Sequence, residues 1–181
     1  MGARRTENLL TYSNDFSNAA WAKSNFTLAE ELTIFPTALD SAWKLTPVST
    51  TSVHTLRKNN AVVEGDLRFS VYAKYNGCSY IIIRDDVATG KYATFNLETE
   101  ATSGNATDIL ITAVGDGWYR CSALIAVSAA SVGFRVDLSQ TGTLNEAWLG
   151  NSVDGVYLGG AQLENVTNQS IKTPADYTPT T

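Results

Sequence analysis

The sequence predicts an all-β domain, a two-sheet antiparallel β-sandwich of jelly-roll type, with at most a short helix near residues 13–21. Three observations predict it. Apolar and polar residues alternate with period two through most of the chain, the spacing of half-buried strands. Gly, Asn, Asp and Ser break that alternation every ten residues or so, as at 64–66 (EGD), 76–77 (NG), 103–105 (SGN) and 115–117 (GDG). No period of 20 to 50 residues recurs, which disfavours a solenoid or a propeller. At 181 residues the chain fits one domain and is long enough to bury roughly 70% of its unfolded surface. The predicted organisation is an N-terminal arm (1–7), the sandwich (8–166) and an extended C-terminal tail (167–181).

Taken in order, the predicted strands begin with NLLTY (8–12), AWKLT (42–46), SVHTLRK (52–58), LRFSVYAKY (67–75), SYIIIRD (79–85) and KYATFNL (91–97). They continue with TDILITAV (107–114), GWYRCSALIAV (117–127), SVGFRVDL (131–138) and GVYLGGAQLE (155–164). Each is rich in β-branched or aromatic residues and bounded by turn formers. The exception is SNDFSNAAW (13–21), where Ser13 or Asn14 could cap a turn or two of helix with Phe16 and Ala20 on one inward face. The tail IKTPADYTPTT (171–181) contains Pro174 and Pro179 and cannot form a central strand. It is expected to run along the surface or into a neighbouring unit.

GVYLGGAQLE is apolar on both faces, which suits a strand central in its sheet. Gly159 and Gly160 leave room for a bulky neighbour, most simply the ring of Trp21 or Trp118. Gln162 and Glu164 are then expected to mark the exit to solvent.

ENLLTYSNDFSNAAW, LRFSVYAKY, GDGWYRCS and GVYLGGAQLE followed by ADYTPT resemble, in order and spacing, a carbohydrate-binding-module-like β-sandwich of bacteriophage tail fibres, tailspikes and head-spike or fibre proteins. The resemblance spans residues 7–181 and departs at 24–41 and 139–152. It implies a jelly-roll domain of a virion surface protein, one that contacts glycans without catalysis of its own and is commonly trimeric.

The alternation places Phe69, Val71, Ala73, Ile81, Ile83, Ala93, Phe95, Leu97, Val132, Phe134 and Val136 in the core. It places Ser70, Tyr72, Lys74, Tyr80, Arg84, Tyr92, Thr94, Asn96, Arg135 and Asp137 on the complementary face. Tyrosines beside arginines and amides suit a sugar, which needs an aromatic surface and fixed hydrogen-bonding groups. The candidate ligand-binding residues are therefore Tyr72, Arg84, Tyr92, Asn96, Arg135 and Asp137, with Trp148 as a loop platform. Two other readings stay open for that face. The tyrosines pack across strands while the arginines pair with Asp85, Asp86 or Asp137, or the face meets another subunit in a decoration or fibre-assembly module. Trp148 can equally plug the end of the sandwich, whereas Trp21, Trp43 and Trp118 are expected in the core.

A catalytic residue is not predicted. His54, the one histidine, has no G-x-S-x-G elbow or H-E-x-x-H helix to complete it. Asp85–Asp86 and Glu30–Glu31 point to opposite sides of their strands, leaving Asp137 with Glu146 as the remaining carboxylate pair for a polysaccharide-degrading activity. No cofactor is predicted. Asn14, Asp15, Asp116 and Asp154 are turn formers first and Ca²⁺ ligands second, since none follows an EF-hand spacing. Cys78 and Cys121 read as two reduced thiols, with one bridge as the alternative. With 13 basic and 18 acidic side chains, net charge −5 and pI near 4.8, the chain lacks the cationic face that duplex nucleic acid requires. No apolar run of spanning or signal-peptide length occurs, so a soluble chain made without Sec export is expected, with glycans and other virion proteins as partners.

Overall fold

The computed structural model describes residues 7–31, 41–62 and 64–181. In chain order the strands are β1 (Ala22–Ser24), β2 (Phe26–Glu31), β3 (Ala42–Pro47), β4 (Thr51–Ser52), β5 (His54–Ala61), β6 (Gly65–Asn76) and β7 (Tyr80–Asp85). They continue as β8 (Tyr92–Asn96), β9 (Thr102–Gly104), β10 (Thr107–Gly115), β11 (Trp118–Val127), β12 (Ser131–Ser139), β13 (Trp148–Leu149) and β14 (Gly155–Asn165). They form two six-stranded antiparallel sheets. The first runs β1-β5-β12-β7-β8-β9 and the second β10-β11-β6-β14-β3-β2, with β13 and β4 as a separate ribbon. This is the predicted jelly-roll sandwich, since the chain passes repeatedly between the layers (β5 to β6 to β7, β9 to β10, β11 to β12) and every pairing in the two sheets is antiparallel.

The core lies between the sheets and is built by the alternation. Phe69 stacks on Phe134 across the layers with centroids 5.4 Å apart, and Trp21 meets Phe134 edge-on at 6.1 Å. Phe69, Val71, Ile81, Ile83, Phe95, Val132 and Val136 join the same buried cluster. Cys78 and Cys121 are buried and unbridged. Burial pushes the Cys78 thiol up to about 12 and Cys121 higher still, so neither is a nucleophile at neutral pH.

Several local expectations are corrected. NLLTY is not a strand, although the Leu9 amide donates to the Leu163 carbonyl at 2.8 Å. Residues 13–21 form turns rather than a helix. Phe16 and Trp21 are buried and Ala20 is exposed, because polar Asp15 and Asn18 close tight turns with their own side chains. Strands β1, β2, β9 and β13 were not predicted. They are short edge or end elements, exposed or only partly buried, with little alternation to reveal them.

Gly159 and Gly160 interrupt the regular strand. The register slips between Gly159 and Gln162 and Gly160 adopts φ 54°. The N-terminal segment takes up the freed amides: Gly160 N–H donates to Asn14 Oδ1 at 2.8 Å and Ala161 N–H to the Ser13 carbonyl at 2.9 Å. The two glycines thus form a bulge that docks the chain's own start.

Gln162 and Glu164 do not leave for solvent, being 1% and 2% exposed. The proline-bearing tail lies across them on the outer face of the second sheet. Gln162 accepts from Thr178 N–H at 2.8 Å, and Glu164 accepts from Ala175 N–H. Arg68, fully buried, donates to the Lys172 carbonyl at 2.6 Å, and Arg120 donates to the Ala175 carbonyl. Ser13 Oγ accepts from Thr180 N–H and lies 2.6 Å from the Tyr177 hydroxyl. Side chains of the sheet satisfy the tail's backbone groups, which a proline-interrupted segment cannot satisfy as a strand.

Candidate functional site

The tail covers the outer face of the second sheet, and the outer face of the first carries the polar set predicted from alternation, with Arg57, Tyr80, Tyr92 and Arg135 half-buried and Thr55, Ile82, Thr94 and Asp137 buried. Alternation along β7 sends Ile81 and Ile83 inward and Tyr80, Ile82 and Arg84 outward. The same alternation turns Arg57 and Thr55 outward on β5, Arg135 and Asp137 on β12, and Tyr92, Thr94 and Asn96 on β8. Cross-strand register then aligns them. Arg57 faces Arg135, Arg135 faces Arg84 and Arg84 faces Tyr92. One row therefore crosses four strands, about 14 Å at a strand spacing of about 4.8 Å. The next row holds Thr55, Asp137, Ile82 and Thr94.

Two carboxylates hold the guanidiniums in place. Asp137 Oδ1 accepts from Arg135 Nε at 2.5 Å, and its Oδ2 lies 3.4 Å from Arg84 Nε. Asp86 lies 3.3 Å from Arg57 Nε and accepts from Arg135 Nη1 at 3.1 Å. Asp137 is 1% exposed and Arg84 8%. Burial raises the Asp137 carboxyl against the pull of Arg135 and Arg84, and it lowers the Arg84 guanidinium against the pull of Asp137. Gly133, beside Asp86 on β12, leaves the space this carboxylate needs, since a Cβ there would sit 2.1 Å from Asp86 Oδ1.

Asp85 and Glu146 anchor the ends of this surface. Asp85, fully buried, accepts from the amides of Val87, Ala88, Thr89 and Gly133 and from the Thr89 hydroxyl, at 2.8 to 3.2 Å. Glu146 accepts from the Ser139 hydroxyl and the Gln140 and Thr141 amides. It thereby shapes the loop whose Gly142 lies against Tyr80 and Thr94. Burial alone would raise both carboxyls, but these hydrogen bonds outweigh it and hold both below their ordinary values. A carboxylate with a depressed folded value stabilises the fold above its unfolded value and loses that contribution as pH falls through the folded one. Melting temperature is therefore expected to fall steeply below the ordinary values of 3.8 and 4.5. Asp85→Asn with Glu146→Gln should flatten that descent, and an unchanged profile would show that these acids are not what the native state protects.

The predicted site residues divide. Arg84, Tyr92, Arg135 and Asp137 come together as described. Tyr72 does not join them. It faces outward from β6 in the opposite sheet, 5% exposed, with Tyr177 of the tail edge-on at 6.4 Å and the Arg120 guanidinium 5.1 Å from its ring. Asn96 lies at the end of β8, but its Oδ1 accepts from the amides of Glu98 and Thr99 and closes the turn after the strand. Trp148 is half-buried. Its indole donates to the Leu138 carbonyl at 3.1 Å, packs on His54 at 4.6 Å and borders the core, so it plugs the sandwich end. His54 itself is fully buried on the core side, its two ring nitrogens facing the carbonyls of Asn25 and Trp148 at 2.6 and 3.1 Å. Sequence reasoning missed Arg57 as a member of the row. Its signal was the parity of β5, where it alternates with Leu56 and Lys58.

Among the described residues no cluster of His, Cys, Asp or Glu has metal-site geometry. Asp15 accepts from Ser17 and Asn18, and Asp154 from Asn151, all turn-closing contacts. Among the described residues no helix is long and apolar enough to cross a membrane.

No family model matches the chain, and no curated protein matches it. Solved structures do. A TmCBM61 structure in complex with β-1,4-galactotriose is similar at TM-score 0.58 and 10% identity, covering 88% of this chain and 99% of that one. The CBM22-1 xylan-binding domain of Paenibacillus barcinonensis Xyn10C is similar at TM-score 0.51 and 11% identity, covering 92% and 99%. The enzymatically active domain of bacteriophage CBA120 tailspike protein 4 is similar at TM-score 0.53 and 13% identity, covering 86% of this chain but 21% of that one. At these identities the likeness is one of fold, a two-sheet β-sandwich of jelly-roll type that these neighbours share.

Proposed function

We propose that this chain is a non-catalytic glycan-binding domain of a phage virion surface protein, and that it contacts saccharides through the outer face of the first sheet. The observation that supports this most is the asymmetry of the two outer faces. The tail covers the second sheet, whereas the first presents Tyr92 beside a row of arginines fixed by buried carboxylates. An aromatic ring for the C–H side of a sugar and pre-ordered donors for its oxygens are the groups such recognition needs. The fold shared with galactotriose- and xylan-binding modules supports the glycan part. The resemblance of the sequence motifs to virion proteins, together with the tailspike neighbour, supports a place on the capsid or tail surface after assembly in the host cytoplasm. The non-catalytic reading rests on the occupation of the acids: Glu146 is engaged by its own loop, Asp137 lies between two arginines and His54 is sealed between carbonyls.

The test is a glycan array probed with the parent and two tyrosine variants. Tyr92→Ala should weaken binding about two- to tenfold, the roughly 0.5–1.5 kcal/mol of an aromatic contact. Tyr72→Ala, on the opposite sheet, should leave binding unchanged and lower stability. Equal loss in both, or in neither, would remove the face assignment.

A further inference from the structure

We propose that the ligand of this face is an acidic saccharide, held through the carboxylate of a uronic- or sialic-type sugar by Arg84, Arg57 and Arg135. This rests on the glycan-binding reading above and specifies its ligand class.

The argument is a balance of donors and acceptors. On this face the carboxylates are engaged in ion pairs or turns, and the two oxygens without a hydrogen bond, Asp86 Oδ1 and Asp137 Oδ2, are shielded from solvent. Asp137 and Asp86 are paired with the arginines, Asn96 Oδ1 caps its turn and Asp85 is saturated by amides. The guanidinium donors are not all engaged. Arg84 reaches Asp137 only through Nε, Arg57 reaches Asn59 and Asp86 only through Nε, and Arg135 uses Nε and Nη1. Both terminal nitrogens of Arg84 and Arg57, and one of Arg135, have no protein acceptor among the described residues. Arg84 makes this more than a surface feature, because its side chain is only 10% exposed. Its Nε is wholly shielded from solvent and lacks a hydrogen-bond partner.

A row that offers donors and almost no free acceptor fits a ligand group that only accepts. Hydroxyls of a neutral sugar both give and take, and beyond the Tyr80 and Tyr92 hydroxyls their protons would find few acceptors here. A carboxylate presents two acceptor oxygens in the spacing of a guanidinium fork. Tyr92, next to Arg84 in register, lies where the ring bearing that carboxylate would rest.

The experiment compares acidic glycans (uronates and sialosides), their methyl esters and matched neutral glycans on one array, with dextran sulfate as a soluble competitor. The expected result is binding to the acids, a loss of at least tenfold on esterification, a similar loss in Arg84→Gln and no rescue by Arg84→Lys. Arg57→Gln, at a 38% exposed side chain, gives a second reading where Arg84→Gln compromises folding, and should weaken acid binding several-fold. Neutral glycans bound as well as acids, or esters bound as well as free carboxylates, would overturn the inference while leaving glycan binding intact. Dextran sulfate competing as well as the acidic glycans would also overturn it, because the attraction would then be to any polyanion. Binding to no glycan of either kind would overturn the underlying reading as well.

Discussion

Asp85→Ala should lower stability by about 3–5 kcal/mol, measured by urea unfolding. The carboxylate collects the Val87, Ala88, Thr89 and Gly133 amides and the Thr89 hydroxyl in a fully buried position. Hydrogen bonds to a charged group are worth about 1.5–3 kcal/mol each, and donors left without an acceptor carry their own desolvation cost. Against a total stability of about 5–15 kcal/mol this is a large share, equal to roughly 10 °C in melting temperature for a chain of this size. Asp85→Asn should fall between the parent and alanine, since an amide retains one acceptor oxygen. A change below about 1 kcal/mol in the alanine variant would mean that the turn after β7 is held by something else. The same residue matters for recognition: its bond to the Gly133 amide ties β12 to β7 next to Asp86, so the alanine variant should also weaken ligand binding.

Removing the tail after Val166 should cost about 2–4 kcal/mol and leave the domain folded. Tyr177 and Tyr72 cover one another, and aromatic side chains of about 150–250 Å² at about 25 cal/mol per Å² contribute several kcal/mol when buried. The ordering entropy regained by a freed tail offsets part of that loss. The charged groups beneath, Arg68 and Glu164, regain water and add no comparable penalty. Thermal unfolding of the truncated chain, with the peptide 167–181 added back in excess, checks this. Recovery of the melting temperature identifies the tail as a docked strap, whereas an unchanged melting temperature on truncation would show that its contacts are energetically neutral. Since the strap binds its own chain, the solution mass should drop only by the residues removed. A change in subunit number would instead support assembly through the tail.

The fold was legible because period-two alternation is a direct consequence of strand geometry, and a buried face must be apolar wherever a strand lies on a core. Phe69, Ile83, Phe95 and Phe134 were thus assigned to the interior from parity alone. Parity says which side of its own strand a residue occupies, but a sandwich has two outer faces. Tyr72 and Tyr92 have the same outward parity and lie on opposite sides of the molecule, because β6 and β8 belong to different sheets. The same limitation hid the fate of Gln162 and Glu164, whose burial depends on a tail that returns across the sheet with its own backbone groups to satisfy.

The sequence by itself determined the architecture, the core and the outward set that contains Arg84, Tyr92, Arg135 and Asp137, since each follows from local periodicity and turn chemistry. Only the tertiary structure decided that Arg57 completes the arginine row, that Trp148 and His54 close an end of the sandwich, and that the tail straps the outer face of the second sheet. Those outcomes depend on strand order, register and the path of the tail, which arise from contacts between residues far apart in the chain.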